Sequence, residues 1–434
     1  RTGMIQRRIE GVRAEVDIRR LLGVTACLGA ALAAWAAAPH ARGDSGVVDL
    51  VNKRLGLMQE VAAHKWINGL PIEDLEREAA VIQNASEVAL GHGIEVSATR
   101  ELFRAQISAA KEVQRYWFAQ WHLADGPTAA RDLGAEVRPE LLALGEQILE
   151  ALASGRGSSD GSDPASLNVE GLTPGSRATV LRAIASVQRY RHRLDQVLRS
   201  GVLRIGTTGD YAPFSHRDGE AGQLVGIDID LGRDLAASLD VQPRFVLTSW
   251  PTLMSDLAAG RFDIAMSGVS RALQRQRTGY FSDAYHVGGK TPIVRCEDRA
   301  RFATIEQIDH EDVRVIVNPG GTNERFVDAN IKRAQKLVHE DNRTIFTALA
   351  DGAADVMITD RVEVTLQSAT HPGVLCAVSE ANLTYQEKAY LLPQDEAWRS
   401  YVDAWLNLKH RNGEVGAAFA RHLGGGSATD GESR

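Results

Sequence analysis

Residues 313–326 read VRVIVNPGGTNERF, an apolar strand-like run followed by a Gly-rich turn and the start of a helix-like segment. A Gly-rich turn between a strand and a helix points backbone N–H groups towards an anion. Glu324 lies in the same turn, where its carboxylate would repel the anion that the turn should hold. We therefore interpret Glu324 as a protonated acid that acts on an anionic substrate.

Strand-like and helix-like runs alternate on both sides of this stretch, from Val202 onwards. The predicted strands are Val202–Thr207, Pro243–Leu247, Ile264–Ser267, Thr291–Arg295, Val313–Val317, Asp355–Thr359, Gly373–Ala377 and Ala389–Leu392. The predicted helices are Asp228–Leu239, Trp250–Ala259, Asn323–Lys336, Asn342–Ala350 and Ala397–Leu423. Such alternation indicates α/β units with mostly parallel sheets.

Residues 45–150 differ, because helical spacing of apolar residues runs through almost all of them. The helices predicted in this region and just beyond it cover residues 50–66, 72–90, 97–121, 138–152 and 177–199. Pro71, followed by two acidic residues, predicts the start of the second of these helices. Residues 153–176 are rich in Gly, Ser, Asp and Pro, which indicates a loop.

The composition is that of a globular protein. The chain has 434 residues, of which 44% are hydrophobic and 24% charged, and this length fits two or three domains. Its formal net charge of −7 argues against nucleic-acid binding, so local cationic pockets must bind any anionic ligand. No spacing of His, Cys or acidic residues predicts a metal site.

The N-terminus has the pattern of an export signal, which we predict to cover residues 1–41. Two arginines precede the apolar run Leu21–Ala38, and Ala38 and Ala41 are the candidate last residues of the signal. A membrane anchor is the alternative, because the run approaches the lower length limit of a membrane span. Cleavage would give a periplasmic chain without stable membrane association.

The cysteines leave two alternatives open. Cys27 lies in the predicted signal, so Cys296 and Cys376 remain in the exported chain. An even number of cysteines in an oxidising compartment indicates a disulfide, and two buried free thiols are the alternative.

The helical region carries a cationic face. Arg54 and Lys65 are eleven residues apart, close to three helical turns, so they share one face with apolar Val61. This region also contains a set of stretches that carry a family resemblance, namely Lys53-Arg54-Leu55, Lys65-Trp66, Leu70-Pro71-Ile72-Glu73-Asp74, Arg77, Gln106-Ile107, Gln114 and Arg138. Together they resemble the secreted, all-helical chorismate mutases of the AroQ gamma type over roughly residues 45–195.

This resemblance implies that the helical region rearranges chorismate to prephenate, a pericyclic step that needs no cofactor. The enzyme must hold two carboxylates in a compact conformer and stabilise charge on the breaking ether oxygen. The resemblance implies that Arg54, Arg77 and Arg138 bind carboxylates. It also implies that Lys65 and Gln114 contact the ether oxygen.

One position departs from that family. A polar residue is expected one turn after Arg77, yet Val81 stands there. Either another group fills that role, or the helical domain is a less active or regulatory mutase. Each arginine taken alone would also fit an ordinary surface ion pair.

The second half contains strings that resemble the periplasmic solute-binding proteins for amino acids. They are Gly201-Val202-Leu203-Arg204-Ile205-Gly206, Asp210-Tyr211-Ala212-Pro213-Phe214, Gly226-Ile227-Asp228-Ile229-Asp230, residues 257–264, and Phe281-Ser282 before Tyr285. This resemblance implies a type II fold, in which two α/β lobes hold a ligand between them. The crossover strands would lie near Thr291–Arg295 and Lys388–Leu392.

Further strings narrow the resemblance to cyclohexadienyl dehydratase, over about residues 194–423. They are Gly209-Asp210-Tyr211, Thr248-Ser249-Trp250-Pro251, Gly289-Lys290-Thr291-Pro292, residues 318–324 and residues 387–393. The resemblance implies conversion of prephenate to phenylpyruvate, or of L-arogenate to L-phenylalanine. Glu324 would protonate the departing hydroxyl, with a pKa raised by enclosure between closed lobes. A helix N-terminal Glu favoured by the helix dipole is the alternative.

Other roles follow from the same resemblance. Arg275 would clamp the pyruvyl or aminoacyl carboxylate, and Asn323 would orient the leaving hydroxyl. Trp250 would pack on the substrate ring or belong to the core. Asp360 matches the acid that binds an α-amino group, which suggests that arogenate is accepted.

Two lysines and a set of donors complete the predicted site. Lys290 and Lys388 would either neutralise the departing carboxylate or pair with local acids. Further N–H or hydroxyl donors would come from Ser267, Gly268, Gly321 and Thr322.

We therefore predict a multidomain chain. Its parts are the signal at 1–41, an all-α chorismate mutase domain at 44–192 with a flexible loop at 153–176, a two-lobed α/β domain at 193–425 and a disordered tail at 426–434. Lobe 1 would comprise about residues 200–292 and 388–425, and lobe 2 about residues 293–387.

The leading hypothesis is a bifunctional enzyme whose first domain makes prephenate and whose second domain consumes it, without metal or cofactor. Its partners would be the small molecules chorismate, prephenate and L-arogenate, and a homo-oligomer remains open. The alternative is a non-catalytic periplasmic receptor for an aromatic or polar amino acid. Glu324 and the fused helical domain argue against that alternative.

Overall fold

The computed structural model of the protein describes residues 46–155, 166–218 and 222–424. The predicted signal at 1–41 and the predicted tail at 426–434 lie outside the described residues, as does part of the loop predicted at 153–176. In the part of the chain that is described, no helix is long and apolar enough to cross a membrane.

The first part of the described chain is helical throughout. Its helices are α1 (Val47–Gly56), α2 (Met58–Ile67), α3 (Leu75–Gly91), α4 (Val96–Leu123), α5 (Arg138–Ala153), α6 (Pro174–Ala185) and α7 (Arg193–Ser200), with a π-helical turn at Leu133–Val137. Helices α1 to α6 bury one apolar core, to which Leu55, Leu102 and Ile148 contribute fully buried side chains, whereas Val197 of α7 packs with Leu203 and Ile205 in a second core. The predicted all-α domain is confirmed.

Three predicted helices differ from the structure in this part of the chain. The run predicted over residues 177–199 is divided into α6 and α7, and residues 186–192 lie outside both helices. The run predicted over residues 50–66 is divided into α1 and α2 at Leu57. The second predicted helix begins at Leu75 and not at residue 72, because Asp74 takes the N-cap position. Its carboxylate accepts a hydrogen bond of 3.0 Å from the backbone N–H of Arg77.

The second part is an α/β domain. Its strands are β1 (Val202–Thr207), β2 (Asp210–Tyr211), β3 (Ser215–Asp218), β4 (Gln223–Val225), β5 (Gln242–Leu247), β6 (Ile264–Ala265), β7 (Tyr280–Gly288), β8 (Lys290–Arg295), β9 (Arg314–Val317), β10 (Gln335–Val338), β11 (Val356–Asp360), β12 (Leu375–Ala377) and β13 (Gln386–Leu392). Its helices are α8 (Ile227–Ser238), α9 (Leu253–Ala258), α10 (Leu273–Gln276), α11 (Ile305–Ile308), α12 (Thr322–Asn330), α13 (Ile345–Ala350), α14 (Arg361–Thr370), α15 (Glu396–Arg411) and α16 (Glu414–Leu423).

Two five-stranded sheets define two lobes, as the type II fold requires. The first sheet has the order β5-β1-β6-β13-β7 and the second the order β10-β9-β11-β8-β12. Both are mixed: the first three strands in each order run parallel, whereas β13 and β8 run antiparallel to their neighbours. The prediction of mostly parallel sheets is wrong for the half of each sheet that contains these two strands.

The chain crosses between the lobes at Gly289 and returns just before Gln386. β7 ends in the first sheet at Gly288, and β8 begins in the second at Lys290. The first crossing is therefore slightly earlier than the predicted lobe boundary near residue 292. A Cβ at Gly289 would clash with the carbonyl oxygen of Thr384, so the two crossing segments pack backbone against backbone.

Some predicted helices are also corrected in this domain. The helix predicted over residues 323–336 ends at Asn330, and its last residues belong to β10, which pairs in parallel with β9. The helix predicted over residues 397–423 consists of α15 and α16, separated by Gly413 with a φ of +74°. Cys296 and Cys376 form a disulfide bond in the second lobe.

The helical domain contacts the first lobe through the end of α3. Glu87 forms a bidentate ion pair with Arg244 of β5, in which both N–O distances are 2.6 Å. The backbones of Gly91 and Gly260 meet so closely that a Cβ at Gly260 would clash with the Gly91 carbonyl oxygen. The described hydrogen bonds from α3 to the sheets of the α/β domain all end on this lobe.

Candidate active sites

Helices α1 to α5 surround a cavity of about 980 Å³ that opens to solvent. The five residues predicted for the mutase reaction all line it, one from each helix: Arg54, Lys65, Arg77, Gln114 and Arg138. Cations that converge on one concave site from separate helices suit an anionic small molecule.

Arg54 lies at the inner end of this cavity and is only 6% exposed. Its Nη1 donates to the Gln106 side-chain oxygen at 3.2 Å, and its guanidinium carbon lies 5.5 Å from the centre of the Phe103 ring. Its Nε is buried without a partner, and burial lowers the pKa of Arg54 to about 10. Because these contacts fix the guanidinium and leave its Nε–H donor unused, Arg54 is positioned to bind a carboxylate.

The other two arginines of the cavity are less enclosed than Arg54. Arg77 and Arg138 are half-buried, and within the described residues their guanidinium groups have no hydrogen-bond partner in the protein. Their donors are therefore available to a ligand in the cavity.

Lys65 and Gln114 are held by backbone carbonyl groups. Lys65 Nζ donates to the carbonyl of Ile72 at 2.7 Å, and burial lowers the pKa of Lys65. Gln114 Nε2 donates to the carbonyl of Ala110 at 3.1 Å, while its Oε1 is buried without a partner. A turn of the Gln114 amide would present Nε2 to a ligand oxygen.

Val81 also lines the cavity, so the predicted departure from the family pattern falls inside the site. Asn84, which sequence reasoning missed, lines the same wall one helical turn later. Glu78 and Lys111 were missed as well and pair with each other at 3.0 Å on the cavity wall. The helical spacing of residues 77, 81 and 84 is the signal that could have revealed Asn84.

The second site is a cleft between the two sheets, with an empty volume of about 320 Å³. Predicted residues that line it are Trp250, Gly268, Arg275, Gly321, Thr322, Asn323, Asp360 and Lys388. Lining residues that sequence reasoning assigned no role are Tyr211, Ser270, Asn318 and Asn342. Since both lobes contribute, a ligand here would be enclosed.

Arg275 projects into the cleft from α10 and is 6% exposed. Its Nη1 donates to the Ser270 carbonyl at 3.3 Å. Burial, together with the nearby charge of Arg325, lowers the pKa of Arg275 to about 10. No described residue forms an ion pair with Arg275, which therefore suits the predicted role of carboxylate clamp.

Two of the predicted donors are already used inside the first lobe. Ser267 is 1% exposed, is absent from the cleft lining, and its hydroxyl accepts from the backbone N–H of Thr208 at 3.1 Å. The N–H of Gly268 donates to Asp228 at 2.5 Å. Burial raises the pKa of Asp228 to about 7.

The Gly-rich turn holds Glu324 at the edge of the cleft. Gly320 has a φ of +75° and packs against Pro251, and its N–H donates to Glu324 Oε2 at 2.8 Å. Glu324 Oε1 pairs with Lys336 at 3.1 Å. Glu324 is not among the described lining residues, so its carboxylate must turn away from Lys336 to reach a ligand.

Lys290 and Lys388 both pair with Asp360 in this structure. Lys290 Nζ lies 2.7 Å from Asp360 Oδ1, and Lys388 Nζ lies 2.6 Å from Oδ2. Burial raises the pKa of Asp360, but the two lysines outweigh this and hold it well below its usual range. Lys290 also donates to Thr322 and Asn323, and the Tyr211 hydroxyl donates to Asp360.

Comparisons with known proteins agree with this division into two regions. Residues 203–425 match the model for bacterial extracellular solute-binding proteins, family 3, and residues 41–115 match chorismate mutase type II. A cyclohexadienyl dehydratase of Pseudomonas aeruginosa is 55% identical over 234 residues, which cover 54% of this chain and 87% of that protein. The L-cystine-binding protein of Escherichia coli is 27% identical over 191 residues, or 43% of this chain and 70% of that protein.

Solved structures similar to the α/β domain include an ancestral cyclohexadienyl dehydratase. It is 47% identical with a TM-score of 0.35, and the match covers 54% of this chain and 98% of that one. An ancestral amino acid-binding protein, described as a precursor of cyclohexadienyl dehydratase, is 30% identical with a TM-score of 0.49, covering 53% and 99% of the two chains. Because the family match covers residues 203–425, the chain belongs to the bacterial extracellular solute-binding proteins of family 3, and it carries a chorismate mutase type II region ahead of that fold.

Proposed function

We propose that this protein is a bifunctional enzyme of phenylalanine biosynthesis. The helical domain rearranges chorismate to prephenate, and the α/β domain converts prephenate to phenylpyruvate and, at some rate, L-arogenate to L-phenylalanine. The observation that supports this most is the convergence of five predicted residues on one cavity of the helical domain. The 55% identity to a cyclohexadienyl dehydratase supports the second activity.

The mutase reaction requires no group transfer to the protein. Arg54, Arg77 and Arg138 hold the two carboxylates of chorismate so that the reacting carbon atoms lie close together. Lys65 and the turned amide of Gln114 then stabilise the negative charge that develops on the ether oxygen as its bond breaks. The lysine is already fixed by Ile72 and loses little freedom when it meets that charge.

The dehydratase reaction requires one proton and an enclosed site. Arg275 clamps the side-chain carboxylate of prephenate, and Asn323 orients the ring hydroxyl. Glu324 gives its proton to that hydroxyl, the C–O bond breaks and water leaves. The electron pair of the bond to the ring carboxylate moves into the ring, which becomes aromatic as carbon dioxide departs.

Glu324 must exchange partners for this step. In the structure its carboxylate accepts from Gly320 and pairs with Lys336. Closure of the cleft around a dianionic substrate would remove water from the turn. We therefore propose that substrate binding draws the Glu324 carboxylate away from Lys336 and towards the departing hydroxyl.

One observation favours a receptor as the second candidate function. The carboxylate of Glu324 is absent from the cleft lining, and a transport protein needs no acid there. Such a receptor would bind an amino acid without chemical change.

We also propose that the chain acts in the periplasm after removal of residues 1–41. The matched family is described as extracellular, which supports export. The substrates would be small molecules, and self-association of the helical domain remains a prediction.

The proposal is tested by giving purified residues 42–434 chorismate alone, without any cofactor. We expect chorismate to disappear and phenylpyruvate to form. Accumulation of prephenate would leave only the mutase function. Turnover of added prephenate without chorismate loss would mean that the helical domain is inactive. No turnover of either compound, with tight binding of an aromatic amino acid, would favour the receptor.

A further inference from the structure

We propose that Gln106 is a positioning residue of the helical cavity, which orients Arg54 without cancelling its charge and so leaves that charge for an anionic ligand. This inference deepens the proposed mutase function, on which it rests. Gln106 belongs to a stretch that carries the family resemblance, but the sequence assigns it no role of its own.

Gln106 acts on the cavity only through Arg54. It lies on α4, is 0% exposed and is absent from the described residues that line the cavity, whereas Arg54 on α1 lines it. Gln106 Oε1 accepts from Arg54 Nη1 at 3.2 Å, which is the one side-chain hydrogen bond that either residue makes within the described part of the chain. Any effect of Gln106 on a ligand therefore passes through the guanidinium of Arg54.

The chemistry of Arg54 fixes the orientation of the Gln106 amide. An arginine side chain carries donors only, so an Nε2 atom directed at Arg54 would place donors against donors. With Oε1 towards Arg54, the Nε2 of Gln106 is buried without a partner. A carboxylate at position 106 would leave no donor unpaired, so this unsatisfied amide requires an explanation other than packing.

The explanation that we infer is the charge of Arg54. Within the described residues no carboxylate forms an ion pair with Arg54, and burial lowers its pKa to about 10 with no nearby acid to oppose the effect. Arg204 shows the usual arrangement, because it is 2% exposed and its Nη2 lies 2.6 Å from Asp263 Oδ1. A buried guanidinium that has a neutral acceptor and no counterion attracts the carboxylate of a ligand strongly.

Two substitutions separate the orientation of Arg54 from its charge. A carboxylate at position 106 would still hold the guanidinium but would compete with the ligand for it. Methionine, which has a similar length and no comparable acceptor, would leave the charge free but would no longer orient it. The first change removes attraction that substrate and transition state share, and the second removes the geometry that the reaction needs.

The first test measures kcat and KM for chorismate with the purified chain. Gln106→Glu should raise KM by about tenfold or more and keep kcat within about threefold. Gln106→Met should lower kcat by about tenfold or more. The control Gln120→Glu adds the same charge at an exposed position of α4 outside the cavity lining and should change neither constant. Unchanged kinetics in either Gln106 variant, or a loss in Gln106→Glu that lies in kcat alone, would overturn the inference.

A stability measurement separates this inference from the proposed reaction. In Gln106→Glu the introduced carboxyl group pairs with a buried cation and replaces the unpartnered Nε2, so the urea midpoint of the helical domain should equal or exceed that of the unaltered chain. A glutamine that only filled the core would give the opposite result, because its replacement would bury a new charge without a partner. A lower midpoint, or a Gln106→Glu chain that fails to fold, would therefore contradict the inference. Absence of chorismate turnover in the unaltered chain would refute the mutase function instead and would leave this measurement valid.

Discussion

Replacing Arg54 with alanine should abolish the mutase activity and leave the dehydratase activity in place. Arg54 is the most enclosed cation of the helical cavity, and its Nε has no acceptor among the described residues. Truncating one partner of a buried, charged hydrogen bond costs about 2–5 kcal/mol. At about 1.4 kcal/mol per factor of ten, kcat/KM for chorismate should fall by about 30- to 5,000-fold.

The same change has a separate cost in stability. The Gln106 side-chain oxygen loses the donor that it contacts at 3.2 Å and remains buried, which should lower the free energy of unfolding by about 1–3 kcal/mol. Circular dichroism must therefore show that the variant is folded before its activity is read. Arg131→Ala is a matched control, because this arginine forms surface ion pairs with Glu136 and Glu140 and should leave both activities unchanged.

The assay follows chorismate loss in one cuvette and phenylpyruvate formation from added prephenate in another. We expect only the first reaction to fail. Chorismate turnover within about threefold of the unaltered chain would refute the role of Arg54. Loss of both reactions in a folded variant would refute the independence of the two sites.

Three further predictions concern the α/β domain. Glu324→Gln should lower dehydratase turnover by at least about 1,000-fold while prephenate still binds in calorimetry, and turnover near that of the unaltered chain would exclude the acid role. Burial raises the pKa of Glu363 to about 8, so the folded chain keeps this carboxyl group protonated at pH values where the unfolded chain loses the proton. The stability that this group contributes should therefore be lost as the pH rises from about 4.3 through 8. Urea unfolding at pH 5 and pH 8 should show this decline in the unaltered chain and less of it in Glu363→Gln. The disulfide of Cys296 closes a loop of 80 residues, so Cys296→Ser should lose about 2–4 kcal/mol of stability in urea unfolding, and an unchanged midpoint would contradict this.

The helical cavity was largely predictable, because helical spacing is a local property. Arg54 and Lys65 are eleven positions apart, which predicts one helical face, and both line one cavity although the helix is divided at Leu57. The start of α3 was misjudged because Pro71 and Asp74 both favour helix starts. The Asp74 carboxylate, which accepts from Arg77, decides between them.

The cleft was less predictable, because its contacts join residues far apart in the chain. Lys290 lies 70 residues from Asp360, and no local pattern shows that the two meet at 2.7 Å. The same applies to β10, whose residues continue a helix-like pattern but pair with β9 in the folded domain. The turn at Gly320 was recognised, yet its N–H donates to the Glu324 carboxylate, and so the group expected to bind an anion is occupied by a neighbouring side chain.

The contact between α3 and the first lobe gives the cleft one fixed wall and one movable wall. Within the described residues, Glu87, Arg244 and the touching backbones of Gly91 and Gly260 fasten the helical domain to the first lobe. Any opening of the cleft must then bend the two crossing segments near Gly289 and Gln386. The second lobe would move relative to the first lobe and the helical domain together. Such an opening would leave the mutase cavity at a constant distance from Arg275 and would move Glu324 and Asp360 with the second lobe.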